Sequence, residues 1–270
     1  LISICDNRPG VLDDVPLMYP QVDTTEDFKA LLTREDIHAV ALATPVDTHY
    51  ALAKEALLAG KHVWVEKPMA ESSAQCQELV ELAESRGLLL HVDHTFIYTA
   101  PVRKLRQLIE AGDLGKLYYY DSVRVNLGLF QHDVNVLWDL AVHDLSIMDY
   151  LIDEKPVRVS ATGVRSVPEQ PESIGYLTCF FDSGFIAHVH ANWLAPVKVR
   201  QTLIGGRKKM AIFDDLDPSE KIKIYDKGID LVTDPDDVAR LLVDYRSGDM
   251  YAPHLDPAEA LAVEVEHFVD

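Results

Sequence analysis

Lys67 follows a strand-like apolar run and is a candidate for acid–base chemistry. The segment KHVWVEKPMA contains Val63, Trp64 and Val65 in succession and then the charged pair Glu66 and Lys67. Short apolar runs are typical of a parallel strand buried on both faces, and ligands bind beyond the carboxyl ends of such strands. A lysine that is partly desolvated there can take part in acid–base chemistry. The alternative is a surface lysine that pairs with Glu66.

A second candidate lies in the segment NVLWDLAVHDLSIMDYL. Asp139 and His143 are four residues apart, so they share one face of a helix. A carboxylate beside an imidazole holds the ring in one tautomer and favours its use as a proton donor or acceptor. The alternative is a hydrogen-bonded core histidine and a solvated acid. A third interpretation is a metal site made of His132, Asp133, Asp139, His143 and Asp144, but no HExxH-type spacing supports it.

The segment ATPVDTHYALA predicts a strand end, a proline and then a helix. Thr44 and Pro45 precede that helix, and its first turn carries Thr48 and His49. Backbone amides at the start of a helix favour a phosphate or a polarised ligand. In the alternative interpretation Thr48 caps the helix and His49 is exposed.

An acid and a base follow the first apolar run, LISIC. Asp6 stands at the end of this predicted strand, where dinucleotide-binding folds place the acid that binds a ribose diol. Arg8 follows two residues later and could instead meet a 2′-phosphate. The segment therefore leaves the choice between NAD and NADP open.

The elements that must position these residues alternate between strand and helix over residues 1–97. The predicted strands are LISIC, AVALAT, KHVWVEK and LLLHVDHT, and the predicted helices are a short one capped by Thr24 or Thr25, then THYALAKEALLAG and SSAQCQELVELAESRG. Gly60 and Gly87 end the two longer helices. The stretch RPGVLDDVPLMYP fits no element. This alternation indicates βαβ units and a mostly parallel sheet.

Residues 98–270 have a different pattern, in which strands dominate. A helix is predicted from Pro101 to Ala111 with Val102, Leu105 and Leu108 on one face, and another near Val136 to Ile152. The remaining segments are rich in β-forming residues. A run of strands with few helices predicts an α+β domain with a mostly antiparallel open sheet.

The composition excludes several classes of protein. Lys and Arg number 25 against 44 Asp and Glu, a net charge of -19, which argues against an extended basic surface for nucleic acid or anionic lipid. The 3 cysteines are far apart and lack C-x-x-C spacing, as expected in a reducing compartment. No apolar run approaches the roughly 20 residues of a membrane span. We expect a cytoplasmic protein.

The order of these motifs resembles the Gfo/Idh/MocA family of NAD(P)-dependent oxidoreductases, which includes glucose-fructose oxidoreductase and inositol dehydrogenase. The resemblance rests on strand–Asp, ATPxxTH, AGKHVxVEKP, HTF and RxNLGLFxxDVNVLWDLAxHDLSI, and it covers nearly the whole chain. It implies a Rossmann-like first domain and an α+β substrate domain. It also implies hydride transfer between NAD(P) and a sugar, cyclitol or nucleotide-sugar hydroxyl.

The resemblance also implies roles for individual residues. Lys67 would orient the substrate, His143 would act as acid or base, and Asp139 would be its neighbour. The cofactor would be NAD, with NADP as the alternative, bound by Asp6, Arg8, Thr44, Pro45, His49, Glu66 and Lys67. We further expect substrate contacts from Arg124, Asn126 and Asn135, each of which could instead bind backbone in a loop.

One departure from the family pattern concerns the glycine-rich turn. The sequence contains no G-x-G-x-x-G, and LISICD matches the second strand of the family. We therefore expect that the first βα unit, roughly 25 to 35 residues, precedes Leu1 in the encoded protein and that the second domain is also cut short. The alternative is a divergent protein that no longer binds NAD.

The wording NLGLFxxDVNVLWDLAxHD is similar to nucleotide-sugar dehydrogenases of the family and implies a UDP-sugar 3-dehydrogenase-like member. The resemblance also implies a homo-oligomer, a dimer or tetramer, through the second domain. Two other functions remain open at this point. One is a metal-dependent sugar isomerase or hydrolase that uses His132, Asp133, Asp139 and His143; the other is a non-catalytic sugar sensor, which has no need of both Lys67 and His143.

Overall fold

Two units make up the chain, residues Leu1–Asp93 and His94–Asp270. In this computed structural model the described residues are 1–128, 132–231, 243–246 and 248–270. The last two residues of the NLGLF motif, Leu129 and Phe130, and Gln131 after them therefore lie outside the described part of the chain. No helix in the described ranges has the length and apolar character that a membrane span needs.

The first unit is built from parallel strands and the helices between them. Its elements are β1 (Ser3–Cys5), α1 (Val15–Met18), β2 (Asp23–Thr25), α2 (Phe28–Leu32), β3 (Ala39–Leu42), α3 (Val46–Leu58), β4 (His62–Glu66), α4 (Ser73–Arg86) and β5 (Leu90–Asp93). β1 and β2 form a two-stranded parallel sheet, and β3, β4 and β5 form a separate parallel sheet in that order. The predicted βαβ arrangement is confirmed, with its strands divided between two sheets.

The start of this unit differs from the prediction in two respects. The predicted cap of α2 at Thr24 or Thr25 is wrong, because both threonines belong to β2. The cap is Asp27, whose Oδ1 accepts a hydrogen bond from the Ala30 amide at 3.1 Å. The unassigned Pro-rich stretch contains the short helix α1, whose first turn tolerates a proline.

The core of the first unit lies between the β3–β5 sheet and helices α3 and α4. The apolar run of β4 is buried, since Val63 and Val65 are both 0% exposed and Trp64 is 8% exposed. Ala53, Ala56 and Leu57 of α3 and Leu79 and Ala83 of α4 pack into the same cluster as Val63 and Val65. The buried strand therefore fixes the backbone from which Glu66 and Lys67 emerge.

The second unit begins with a 3₁₀ helix and consists mainly of strands. After the 3₁₀ helix (Thr95–Tyr98) come α5 (Ala100–Glu110), β6 (Leu117–Leu127), a π-helical segment (Leu137–Ala141), α6 (Val142–Leu151), β7 (Arg158–Val164), β8 (Ile174–Phe180), β9 (Ile186–Asn192), β10 (Leu194–Gly206), β11 (Met210–Asp214), β12 (Ile222–Tyr225), β13 (Gly228–Leu231), β14 (Val243–Arg246), β15 (Met250–Tyr251) and α7 (Ala260–Val269).

Eight strands of this unit form one sheet in the order β15-β12-β11-β10-β6-β9-β8-β7. The pairings within it are antiparallel except that of β6 with β9. The predicted α+β architecture with a mostly antiparallel sheet is confirmed.

Helices α5 and α6 cover one face of this sheet. Val102 and Leu105 of α5 are 0% exposed and belong to the same core cluster as Tyr120 and Ile204 on the sheet. The opposite face stays open, and Tyr176 on β8 is 41% exposed. The predicted apolar face of α5 is confirmed.

The helix predicted near Val136 to Ile152 is not uniform. Leu137–Ala141 is π-helical, and the regular α-helix begins only at Val142. A π segment bonds each residue to the fifth rather than the fourth along the chain, and such segments are frequent at functional sites. The face shared by Asp139 and His143 is therefore interrupted by a change of helix type, which a spacing rule for α-helices does not foresee.

Candidate active site

The turn after β4 brings two carboxyl groups and a lysine together. Glu66 ends β4 and lies opposite Asp93, the last residue of β5, in the parallel register. Burial raises the pKa of the Glu66 carboxyl, and the negative charge and hydrogen bond of Asp93 raise it further. The Lys67 amide donates a hydrogen bond to Glu66 Oε2 at 3.2 Å, and the Lys67–Pro68 peptide bond is cis. Lys67 is thus half-buried at the carboxyl edge of the sheet.

His49 connects this turn to the neighbouring strand end. The side chain is 1% exposed, so the interpretation of His49 as an exposed residue is wrong. Its Nδ1 lies 2.9 Å from the carbonyl oxygen of Pro68, and its Nε2 lies 2.8 Å from the carbonyl oxygen of Thr44. The ring therefore spans the loops that follow β3 and β4.

The start of α3 lies between these two loops. Pro45, not Thr48, occupies the N-cap position, and no side chain caps the helix. The Thr48 hydroxyl lies 2.7 Å from both Thr44 Oγ1 and the Pro45 carbonyl oxygen. The interpretation of Thr48 as the cap is therefore wrong. An uncapped helix start at the carboxyl edge of a parallel sheet suits a polar or anionic ligand.

Asp6 and Arg8 bind each other at the end of β1. Arg8 Nε lies 2.9 Å from Asp6 Oδ1, Arg8 Nη2 lies 2.6 Å from Asp6 Oδ2, and the Arg8 amide also donates to Oδ1. These hydrogen bonds from Arg8 lower the pKa of the Asp6 carboxyl to about 2. Asp6 is therefore an anion whose two oxygens already have a donor, and Arg8 is neutralised in part.

In the second unit, His143 lies in the first turn of α6. Its ring packs edge-on against Phe96 of the 3₁₀ helix, with 5.0 Å between the ring centroids. The guanidinium of Arg124 lies over the same Phe96 ring, 4.6 Å from its centroid. Phe96 is therefore a shared contact of the His143 imidazole and the buried Arg124 guanidinium.

The side chain of Asp139 accepts a hydrogen bond from Trp193, the residue between β9 and β10. Trp193 Nε1 donates a hydrogen bond to Asp139 Oδ2 at 3.1 Å, and Trp193 is 1% exposed. The carboxylate of Asp139 therefore has a fixed orientation within the second unit.

Arg124 and Asp144 form a buried ion pair beside these residues. Arg124 Nε lies 2.7 Å from Asp144 Oδ2, and the two side chains are 4% and 3% exposed. Ser122 donates to Asp144 Oδ1 at 2.5 Å, and the Tyr120 hydroxyl donates to the Asp144 carbonyl oxygen at 2.9 Å. Arg124 Nη1 has no hydrogen-bond partner among the described residues. The pair ties α6 to β6 next to His143.

The two asparagines predicted as substrate contacts differ in setting. Asn135 Oδ1 accepts hydrogen bonds from the Leu137 and Trp138 amides, each at 3.1 Å, so this oxygen serves the start of the π segment. Asn126 is half-buried near the end of β6 and faces Gly128. The Asn135 oxygen satisfies backbone, which is the alternative the sequence left open.

The metal interpretation has no support in the described part of the chain. No three His, Cys, Asp or Glu side chains form a group that could hold a metal ion there. Asp144 is bound by Arg124, and His132 Nδ1 lies 2.6 Å from Gln170 Oε1.

Comparison with known proteins identifies the family of this chain. Residues 1–94 match the model of the oxidoreductase family with an NAD-binding Rossmann fold, and residues 102–212 match the Gfo/Idh/MocA C-terminal domain. The UDP-N-acetylglucosamine 3-dehydrogenase of Acidithiobacillus ferrooxidans is 30% identical over 256 residues, which is 93% of this chain and 73% of that protein. The chain belongs to the Gfo/Idh/MocA oxidoreductase family.

Other members support the same grouping. The crystal structure of that A. ferrooxidans enzyme superposes with a TM-score of 0.80 at 26% identity, covering 100% of this chain and 80% of the other. The scyllo-inositol 2-dehydrogenase of Bacillus subtilis is 26% identical over 219 residues, which is 76% of this chain and 64% of that enzyme. This family member is thus a dehydrogenase with an NAD-binding Rossmann unit and a sheet-rich C-terminal unit.

The first unit carries groups whose chemistry suits a dinucleotide such as NAD. The uncapped start of α3 and the Lys67 turn offer polar donors at one sheet edge, and Asp6 offers an ionised carboxylate. A G-x-G-x-x-G turn is not part of this sequence. We therefore assign no residue of this chain to the pyrophosphate.

Three residues with functional contacts were missed from the sequence. Asp93 ends LLLHVD as Glu66 ends HVWVE, so an acid at the end of a strand was the signal for it. Phe96 is the last residue of the HTF motif, whose pattern alone indicates no role for the phenylalanine. Trp193 contacts Asp139 across 54 residues of sequence, and no local pattern predicts that contact.

Proposed function

We propose that this family member oxidises a secondary hydroxyl of a UDP-linked N-acetyl sugar, with NAD as hydride acceptor. The observation that carries the proposal is the Lys67 turn, in which a half-buried lysine stands at the carboxyl end of a buried parallel strand and beside an ionisable carboxyl pair. Ligands of open α/β sheets bind at that edge.

Lys67 binds the oxygen that reacts. An ammonium group donates hydrogen bonds and stabilises negative charge that develops on a hydroxyl oxygen as its proton leaves. The turn that carries Lys67 is anchored at Pro68 by His49 and at the Lys67 amide by Glu66. The lysine is therefore presented by a backbone with little freedom, as orientation-dependent catalysis requires.

His143 accepts the hydroxyl proton. A neutral imidazole is a suitable base near neutral pH, and a positioned base contributes about 10²- to 10⁴-fold to the rate. Its ring packs edge-on against Phe96. Asp139, held by Trp193, supplies the fixed carboxylate of the same helical region.

NAD bound by the first unit would supply the acceptor for the hydride of the carbinol carbon. The chain's own contribution is to bind the sugar, hold its hydroxyl and remove the proton. Arg124 is proposed as a substrate contact because its Nη1 has no partner among the described residues. Asn126 and Asn135 are proposed as further contacts, and for Asn135 only the amide nitrogen is meant, since its oxygen binds backbone.

The substrate class comes from the relatives. The A. ferrooxidans relative is named for UDP-N-acetylglucosamine, and its alignment includes 93% of this chain. The B. subtilis relative is named for scyllo-inositol, so a free cyclitol is the second candidate. A negative chain with a net charge of -19 must hold an anionic nucleotide sugar through a local pocket rather than a general positive surface.

A substrate panel tests this proposal. The full-length protein is incubated with NAD and either UDP-N-acetylglucosamine, free N-acetylglucosamine, scyllo-inositol or myo-inositol, and NADH is followed by absorbance. We expect the highest kcat/KM for the UDP-linked sugar. If only the cyclitols give NADH, the proposed substrate is wrong and a cyclitol takes its place. If no substrate gives NADH, the proposed function is wrong.

We also propose that the protein is a cytoplasmic homo-oligomer. The open face of the large sheet carries apolar side chains, among them Tyr176 and Ile186 at 41% and 39% exposure. Such a face is typical of a surface buried between subunits. Sedimentation velocity should therefore give a dimer or a tetramer, and a monomer at micromolar concentration would contradict this proposal.

A further inference from the structure

The His49 side chain makes two contacts that lining a cofactor does not require. Its ring nitrogens lie 2.9 Å from the Pro68 carbonyl oxygen and 2.8 Å from the Thr44 carbonyl oxygen. At 1% exposure the ring has almost no surface left for another ligand. His49 therefore contacts protein backbone on both of its polar sides.

The two carbonyl groups belong to loops that follow neighbouring strands. Thr44 comes after β3, Pro68 comes after β4, and β3 pairs directly with β4 in the sheet. Pro68 is also the residue next to Lys67. His49 thus connects the strand-end loop before α3 to the loop that carries the lysine.

A buried carbonyl oxygen without a donor has a high energetic cost, so a ring nitrogen that carries a proton restrains the loop whose carbonyl it meets. A neutral imidazole has one such nitrogen, and an imidazolium has two. The Lys67 loop has a second restraint, the hydrogen bond from the Lys67 amide to Glu66. That bond fixes the amino side of Lys67, whereas the His49 contact fixes the residue on its carboxyl side. The lysine is held from both directions.

We infer that His49 is a positioning residue, which acts through the Pro68 carbonyl to place Lys67 for the reaction. This inference rests on the proposed role of Lys67. It assigns the Nδ1 side of the ring to the lysine loop and the Nε2 side to the loop before α3. Because the contact with each loop uses a different ring nitrogen, a substitution can remove one contact and leave the other.

Asparagine and glutamine each reproduce one side of the ring. The asparagine amide nitrogen occupies the position of Nδ1, and the glutamine amide nitrogen occupies the position of Nε2. His49→Asn can donate to the Pro68 carbonyl but not to that of Thr44, whereas His49→Gln can donate to the Thr44 carbonyl but not to that of Pro68. We expect kcat to be about 10- to 100-fold lower in His49→Gln than in His49→Asn, because misplacement of a reacting group slows the reaction by such factors.

The KM of the sugar should change less than kcat in His49→Gln, because the lysine acts on the reacting oxygen. Matched controls are His62→Asn and His62→Gln. His62 lies at the amino end of β4, away from the carboxyl edge, and its Nδ1 accepts from the Leu89 amide at 2.9 Å. Both controls should keep the parent's kcat. A loss of kcat in His49→Asn equal to or larger than that in His49→Gln would overturn the inference.

Two measurements do not depend on turnover and separate this inference from the proposed function. Amide exchange of the peptide from Glu66 to Glu71 should match the parent in His49→Asn and be faster in His49→Gln. If either variant does not fold, the parent alone decides, because the nitrogen resonances of the His49 ring report which nitrogen carries a proton. A protonated Nδ1 supports the inference; an unprotonated Nδ1, or equal exchange in both variants, overturns it.

Discussion

Glu66 and Asp93 end two adjacent parallel strands and lie opposite each other in register. Burial and the Asp93 carboxyl both raise the pKa of Glu66. The folded protein therefore holds this proton more tightly than the unfolded chain does. The turn that carries Lys67 consequently contains a carboxyl group that ionises less readily than it does in the unfolded chain.

This relationship predicts a pH dependence of stability. The free energy of unfolding should fall as the pH rises from about 4.3, the unfolded value for Glu, through the raised folded pKa of Glu66, and the loss should be constant above it. Glu66→Gln should remove that part of the slope and raise Tm at neutral pH. The exposed Glu71→Gln serves as the control. Melting curves of Glu66→Gln that keep the parent's dependence on pH would contradict this explanation.

The indole of Trp193 is predicted to support turnover through Asp139. Trp193→Phe removes the Nε1 donor, and a hydrogen bond to a charged group contributes about 1.5–3 kcal/mol. We expect lower stability and lower kcat with unchanged NAD affinity. Trp138→Phe is the control for the loss of an indole, because Trp138 is 36% exposed whereas Trp193 is 1% exposed. Equal kcat in the two variants would show that the Asp139 orientation is unimportant.

The buried pair of Arg124 and Asp144 should be costly to break from one side. Arg124→Met leaves the Asp144 carboxylate without its cation, and such a change costs about 3–5 kcal/mol in urea unfolding. Adding Asp144→Leu to that variant should recover much of the loss. The exposed pair of Arg165 and Glu172 offers a control, since Arg165→Met should change stability by only about 0–1 kcal/mol. A double variant no more stable than Arg124→Met would contradict the prediction.

Cofactor preference should depend on the contact between Asp6 and Arg8. The ionised Asp6 carboxylate repels a 2′-phosphate, so kcat/KM should be higher for NAD than for NADP. Arg8→Ala should increase that preference because it removes the neutralising guanidinium, and Asp6→Asn should reduce it. A parent protein that prefers NADP would assign the decisive role to Arg8 instead.

Much of the fold followed from regular patterns in the sequence. The apolar run Val63 to Val65 predicted a buried strand, and Gly60 and Gly87 marked the ends of α3 and α4 because both have positive φ angles. β2 was missed, since Asp23–Thr25 is polar and is held mainly by backbone hydrogen bonds to β1. Its three residues carry no apolar alternation that could be recognised.

The sequence indicated which residues belong to the candidate site, but it did not predict which of them contact each other. Tyr120, Ser122 and Arg124 alternate along β6 and are all buried, so a period of two along the strand could have placed Arg124 inside the unit. Its partner Asp144 is 20 residues away, and local spacing does not predict such a pair. The burial of His49 depends likewise on carbonyl groups from two loops.

The most direct test of the central claim measures Lys67→Ala and His143→Ala in the full-length protein. Both variants are assayed for NADH production from the best sugar substrate, and NADH affinity is measured separately by fluorescence titration. The account predicts that each substitution lowers kcat by about 10²- to 10⁴-fold while NADH affinity stays close to that of the parent. Reduction of NAD at the parent's rate by both variants would contradict it.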